Sequence, residues 1–220
     1  VMECSKAGIR TVMITGDHIS TACVIAKKAG IYNGICTTEK ELNELSSAER
    51  ERKILSCSVF ARTSPAFKNE IVKVLRAHGE TVAMTGDGVN DAPALKKADI
   101  GCSMGSGTSV AREASDIILT DDNFSTITEA VRCGRGIYEN LRKAIHFLLS
   151  CNIGELLTIF IAIVAGFPSP LNAVQLLWVN LVTDTLPAVA LGLEKPGKEI
   201  MCGRHKRTDK IIDSDLMRSV

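Results

Sequence analysis

Thr81-Val-Ala-Met-Thr-Gly-Asp-Gly-Val-Asn-Asp-Ala-Pro93 is the stretch that decides the fold. An apolar run passes straight into Thr-Gly-Asp, and a helix-starting string with Pro93 follows. Seventy residues earlier, Thr11-Val-Met-Ile-Thr-Gly-Asp17 repeats Thr81–Asp87 at five of seven positions. Apolar strands that alternate with helices imply a parallel α/β sheet. Two strands ending in the same turn are expected to share one carboxyl edge of that sheet, where ligands bind.

Working outward, the candidate strands are Thr11–Ile14, Ser58–Ala61, Thr81–Met84, Ile100–Ser103 and Ile117–Leu119. The candidate helices between them are Ile19–Ala29, Ala48–Leu55, Ala66–Ala77, Ala92–Ala98 and Ser109–Ser115. Val1–Gly8 reads as the tail of a helix with a Gly stop. Residues 1–122 are therefore expected to form an α/β, Rossmann-like unit.

Beyond Asp122 the pattern changes. Asn123–Lys143 has helical character and carries Glu129, Arg132, Arg135, Glu139, Arg142 and Lys143. It runs into the apolar span Phe147–Phe167, and Pro168-Ser169-Pro170 separates that span from a second, Leu171–Leu193. At about 1.5 Å per residue each is long enough to cross a hydrocarbon core of roughly 30 Å. The organisation expected is 1–122 α/β, 123–146 a stalk helix, 147–193 a transmembrane hairpin and 194–220 a loop. Basic residues flank the hairpin on both sides, and the turn has no charge, so both ends are expected in the cytosol. Arg204-His-Lys-Arg207 reads as a solvated run facing lipid headgroups.

Composition agrees with a protein that is part soluble and part membrane. The 26 basic and 25 acidic residues leave a net charge of +1, which excludes a general nucleic-acid scaffold. The eight cysteines have no zinc-type spacing and are expected to be free, reduced and mostly buried, as in a cytosolic compartment.

In the soluble part, Asp87, Asn90 and Asp91 crowd a Gly-containing turn at a strand end. Hard oxygen ligands there suit Mg2+, which favours one or two carboxylates with waters and a phosphate oxygen. The alternative is a helix capped by Asn90 or Asp91. Thr15, Gly16 and Asp17 occupy the matching turn, where a hydroxyl and backbone N–H groups could hold phosphate oxygens. Lys68, just after Thr63-Ser64-Pro65, could set an ammonium against a phosphoryl group, or simply lie on a solvated helix face.

In the hairpin, Glu155 and Asp184 are the only charged residues in 147–193. Intramembrane ionisable groups mark functional sites by default. Asn152 and Glu155 are three apart on one helix; Asn180, Thr183 and Asp184 fall at i, i+3 and i+4 on the other. Five oxygen-bearing side chains are thus expected at similar depth, and Pro187 directly after them gives a place where the second helix can break and free carbonyls. Cys151, about 100° from Asn152, is expected to point away. Such hard donors favour Ca2+ over soft metals.

Thr15-Gly16-Asp17, Ala61-Arg-Thr-Ser-Pro-Ala-Phe-Lys68, Thr85–Pro93, Gly101–Thr108 and Asp121-Asp-Asn-Phe124 together resemble the later signature motifs of P-type cation-pumping ATPases. That resemblance implies a haloacid-dehalogenase-like phosphorylation domain. It also implies ATP as substrate, Asp87 on Mg2+, Asn90 and Asp91 ordering the site, Thr15 and Gly16 holding phosphate, and Lys68 neutralising it. Asn152-Ile-Gly-Glu155 and Trp178–Asp184 resemble the fifth and sixth transmembrane helices of sarcoplasmic-reticulum-type calcium pumps. The family's Asp-Lys-Thr-Gly-Thr motif, with its phosphorylated aspartate, does not occur here. The chain accordingly reads as an internal segment of a longer multi-pass pump, inactive by itself, with membrane lipid and the rest of the pump as partners. A pump for another cation and a non-catalytic phosphate-binding module are the alternatives.

Overall fold

The structure is a computed structural model that describes residues 1–203. The expected headgroup-facing run at 204–207 and most of the expected loop 194–220 lie outside the described residues. Two compact units divide the chain near residue 129.

In the first unit six short parallel strands form two sheets. The first sheet has β1 (Met13–Ile14), β2 (Cys36–Thr38) and β3 (Val59–Ala61) in the order β1-β3-β2. The second has β4 (Ala83–Gly86), β5 (Ile100–Met104) and β6 (Ile117–Leu119) in sequence order. Met13 pairs with Val59, and Met84 with Gly101. The two Thr-Gly-Asp strands, β1 and β4, thus stand at the edges of separate sheets, which corrects the expectation of one shared edge. The physical reason is pairing: each strand bonds a neighbour on one side only, and no ladder joins them.

The central strand β3 is buried at every residue. This accounts for its unbroken apolar run, because a parallel strand covered on both faces has no polar side to present. Over it lies α5 (Pro65–Ala77), whose Phe67, Ile71 and Leu75 recur every four residues and are all buried. They pack with Leu42, Ile54, Cys57 and Phe60, each burial contributing about 1.5–3 kcal/mol for the large side chains. Ser64 starts α5 by accepting the Phe67 N–H, and Pro65 sits where a missing N–H costs nothing. After the short α1 (Met2–Lys6), α2 (Ile19–Ala29) covers the other side and brings Ala22 and Ala26 against Val59 and Ala61. These small side chains let the helix approach closely, and Gly30 ends it at φ +71°.

Helices α4 (Ser47–Ser56), α6 (Ala92–Lys97) and α7 (Ser109–Glu113) fall within a residue or two of expectation. Strand β2 and helix α3 (Glu39–Asn43) were not expected. Only two of the eight thiols, Cys57 and Cys102, are fully buried, and burial pushes both up from the ordinary thiol range. Burial beside Cys23 raises Cys36 to about 11. Cys133 and Cys202 are exposed, so "mostly buried" does not hold.

The second unit is built on α8 (Ser125–Val164), 40 residues without interruption, so the expected stalk and first span form one helix. The second span comprises α9 (Ala173–Trp178), a π-helical segment Val179–Asp184 and α10 (Thr185–Gly192). Pro187 does not break it, which corrects the expectation. Proline lacks an N–H and crowds the carbonyl four residues back. Here it occupies the first turn of α10, and the turns upstream widen to π geometry, a device frequent at functional sites. At the charged end Asn140 is buried and donates to the carbonyls of Gly192 and Glu194, at 3.3 and 2.6 Å. Lys143 meets the Glu194 carboxylate at 2.7 Å.

Candidate functional site

The soluble candidate residues follow the carboxyl ends of β1, β3 and β4 in the first unit. Beyond β1, the Thr15 hydroxyl donates to Asp17 Oδ2 at 2.9 Å and accepts the Asp17 N–H at 3.2 Å. This closed turn leaves Gly16 and Asp17 exposed. It is tied to the next motif because the Thr63 N–H and hydroxyl both donate to the Thr15 carbonyl at 3.1 Å. Arg62 between them takes φ +50° and donates its N–H to the Asp17 carbonyl.

Thr63 leads into α5, and one turn along it Lys68 places its ammonium 2.6 Å from Asp91 Oδ1. Asp91 is 8% exposed, and its other oxygen accepts the Gly88 N–H at 3.3 Å. Asp91 stands at the N-cap of α6 without capping it through its side chain, because the carboxylate is turned to Lys68 and Gly88. Gly86 makes room for this arrangement: a Cβ there would meet Asp91 Cβ at 2.5 Å.

Asp87, by contrast, is exposed, and its carboxylate has no hydrogen-bond or ion-pair partner among the described residues. Only its main chain is held, by the Thr108 N–H at 2.9 Å, with Gly107 packed against its Cα. Asn90 is likewise exposed. Lys68 and Asp91 thus form a fixed buried pair, while Asp87 and Asn90 offer free oxygens beside it. Glu39, on α3, was not singled out from the sequence. It accepts the Ser64 N–H at 2.6 Å and hydroxyl at 2.9 Å, holding the start of the helix that carries Lys68.

In the second unit the structure brings together some of the hairpin residues and not others. Asn180 Nδ2 donates to Glu155 Oε2 at 3.3 Å and to the Leu176 carbonyl at 3.1 Å. Asp184 is 4% exposed, and its Oδ2, like Glu155 Oε1, is buried with no hydrogen-bond partner. Asn152 is exposed and turns back to the Leu148 carbonyl of its own helix, and Thr183 is also exposed. Cys151 takes the place expected for Asn152. Its thiol lies in electrostatic range of the Asp184 and Glu155 carboxylates. The expectation that Cys151 points away is therefore corrected: Cys151 and Glu155 are i and i+4, a closer facial match than Asn152 and Glu155 at i and i+3. Among the described residues no three His, Cys, Asp or Glu side chains are grouped so as to hold a metal ion.

Residues 1–99 and 68–131 match families of haloacid dehalogenase-like hydrolases, and residues 168–220 match the C-terminus of cation-transporting ATPases. The "Calcium-transporting ATPase 1" of Bacillus cereus is 56% identical over 204 residues, covering 91% of this chain and 23% of that protein. The "Calcium-transporting ATPase" of Plasmodium falciparum is 51% identical over 240 residues, covering 99% of the chain and 20% of the relative. The chain belongs to the P-type cation-transporting ATPases.

It spans about a quarter or less of the length of these relatives. The crystal structure of a zinc-transporting PIB-type ATPase in the E2.Pi state aligns with 87% of this chain and 26% of its own, at 27% identity and a TM-score of 0.60. With the family in place, the two helices long and apolar enough to cross a membrane are spans of a multi-pass membrane protein, and the haloacid-dehalogenase-like unit is its cytosolic part.

Proposed function

We propose that this chain is the section of a Ca2+-transporting P-type ATPase that joins the later part of the phosphorylation domain, 1–122, through the stalk 123–146 to a transport hairpin, 147–193, with 194–220 as the following loop. The observation that carries the ion assignment is the pair of buried carboxylate oxygens, Glu155 Oε1 and Asp184 Oδ2, left without partners in apolar helices. Unpaired buried polar groups are costly, and a bound cation compensates both. Asn180, bonded to Glu155, adds an amide oxygen to a hard donor set, and the Asn152 amide and Thr183 hydroxyl are the hairpin's further hard donors. The names of the relatives from Bacillus and Plasmodium support calcium as that ion.

In the soluble unit the residues present fit Mg2+. Asp87 has a free carboxylate at a strand end, fixed through its main chain, and Mg2+ held there would neutralise charge on a phosphoryl group during transfer from ATP. Thr15 and Gly16 hold phosphate oxygens, the Thr15 hydroxyl turning its proton from Asp17 Oδ2 to the phosphate while Asp17 shapes the turn. Asp91 positions Lys68, whose ammonium then stabilises the developing negative charge. Asn90 orients the exposed face of the turn. The aspartate that accepts the phosphoryl group comes from the longer protein.

Sealed vesicles holding the full-length pump test this reading. They should accumulate radiolabelled Ca2+ when ATP and Mg2+ are supplied, and Asp87→Asn should abolish both uptake and phosphoenzyme. ATP hydrolysis that is indifferent to Ca2+ would move the assignment to another cation.

A further inference from the structure

We propose that Glu39 is a positioning residue for phosphoryl transfer: by gripping Ser64 at the start of α5, it sets the place of Lys68. This rests on reading Lys68 as the group whose ammonium meets the phosphoryl oxygens. It adds a residue that lies outside every motif of the soluble unit and on a helix, α3, that carries none of the candidate groups.

The hydrogen bonds run without a gap from Glu39 to the turn that holds Asp87. Glu39 is the half-buried first residue of α3, whose start is fixed by the Thr38–Glu41 capping box. Both its oxygens go to one partner: Oε2 accepts the Ser64 N–H at 2.6 Å and Oε1 the Ser64 hydroxyl at 2.9 Å. With its proton given to Glu39, Ser64 Oγ turns a lone pair to the Phe67 N–H at 3.2 Å, so Glu39 orients the cap of α5. The Ser64 carbonyl accepts the Lys68 N–H at 3.1 Å, and Lys68 Nζ reaches Asp91 Oδ1 at 2.6 Å. Asp91 Oδ2 then accepts the N–H of Gly88, the residue after Asp87, at 3.3 Å.

A carboxylate suits this place for two reasons. Its paired acceptors match two donors on one residue, and hydrogen bonds to an ionised acceptor are about twice as strong as neutral ones. Its charge also sits at the N-terminus of a 13-residue helix, where the unpaired N–H groups favour an anion. The hold matters to chemistry because a misplacement of about 1 Å, caused by a change away from the reacting atoms, can cost on the order of a hundredfold in rate. Glu39 itself touches no reacting group and acts only through Ser64 and Lys68. A carboxylate that merely stabilises the start of α5 is the competing account: it predicts less folded protein, with the rate per folded molecule unchanged.

The test follows phosphoenzyme formation by the purified full-length pump from radiolabelled ATP with Mg2+ and Ca2+, per folded molecule. Glu39→Ala should slow formation at saturating ATP about tenfold, short of the hundredfold of a full misplacement, and leave the ATP concentration for half-saturation unchanged. Glu39→Gln keeps an acceptor for the Ser64 N–H and should recover most of the rate. Ser64→Ala should cost less in the Glu39→Ala background than in the wild type, because both residues act on one path. A wild-type rate per folded molecule in Glu39→Ala would overturn the proposal, whatever its stability. So would a raised ATP requirement at an unchanged maximal rate, which would place Glu39 at the nucleotide instead. Should Glu39→Ala not fold, Glu39→Asp, one methylene too short to reach Ser64, carries the same comparison and should be slower than Glu39→Gln. A wild type that forms no phosphoenzyme would contradict the proposed function and this inference with it, whereas a normal wild type beside an unaffected Glu39→Ala would contradict this inference alone.

Discussion

The Lys68 ammonium lies 2.6 Å from the Asp91 carboxylate, and the two side chains are only 17% and 11% exposed. The pair joins α5 to the start of α6, two helices that follow different sheets. Its local worth is asymmetric, because removing one partner leaves the other charge buried and uncompensated. Lys68→Met should destabilise the α/β unit by roughly 3 kcal/mol, the low end for a broken buried pair. The double variant Lys68→Met with Asp91→Leu should recover much of that loss. Hydrogen exchange of the α5 and α6 amides measures both, and equal losses in the single and double variants would refute the coupling.

Gly86 and Gly88 flank Asp87 but face different constraints. A Cβ on Gly86 would lie 2.5 Å from Asp91 Cβ and 2.8 Å from its Cγ, whereas one on Gly88 would approach nothing nearer than 3.6 Å. Gly86→Ala should therefore displace Asp91 from Lys68 and cost about 1–3 kcal/mol, as overpacking does. Gly88→Ala should stay within about 0.5 kcal/mol. Denaturant unfolding of the two variants side by side decides whether the crowding is real.

Asp122 gives a pH expectation with a definite sign. Its backbone is left-handed at φ +52°, and its carboxylate accepts the Ser106 N–H at 3.1 Å. Those hydrogen bonds to Ser106, backbone first, hold the carboxyl below the usual aspartate range. A lowered carboxylate stabilises the turn fully above the unfolded value, about 3.9, and loses that contribution as pH falls through the folded value. The Ser106 amide resonance should titrate with a midpoint below about 3.9. Asp122→Asn keeps the acceptor and should abolish the titration. A midpoint at or above the ordinary value would contradict the contact.

Much of this was legible in the sequence, for reasons that can be assigned. Ile19–Ala29 and Ile117–Leu119 form over the expected residues, the first because a cap, a small-residue stripe and Gly30 all agree. Strand β2 escaped notice because Cys36-Thr-Thr38 is three residues long and polar in composition. The Thr38–Glu41 capping box that starts α3 was its one available signal. The shared edge for β1 and β4 was not readable, since sequence repetition reports local geometry and not which strands pair. In the hairpin, spacing identified Glu155, Asn180 and Asp184 as neighbours. It does not separate Cys151 from Asn152, because i,i+3 and i,i+4 partners of Glu155 are nearly equivalent on paper.

The hairpin topology is open to a direct check. Ser169 is exposed in the uncharged turn between α8 and α9. In a cysteine-depleted full-length protein, Ser169→Cys should react with an impermeant thiol reagent applied opposite the cytosol. Reaction from the cytosolic side alone would invert the hairpin.

Equilibrium binding of radiolabelled Ca2+ to the purified full-length pump tests the central claim most directly. Glu155 Oε1 and Asp184 Oδ2 are the buried, unpartnered oxygens that a cation would satisfy, and Asp184 is the more deeply buried of the two residues. The account predicts high-affinity binding in the wild type, its complete loss in Asp184→Asn, and partial retention in Glu155→Gln. Wild-type affinity for Ca2+ in Asp184→Asn would contradict it.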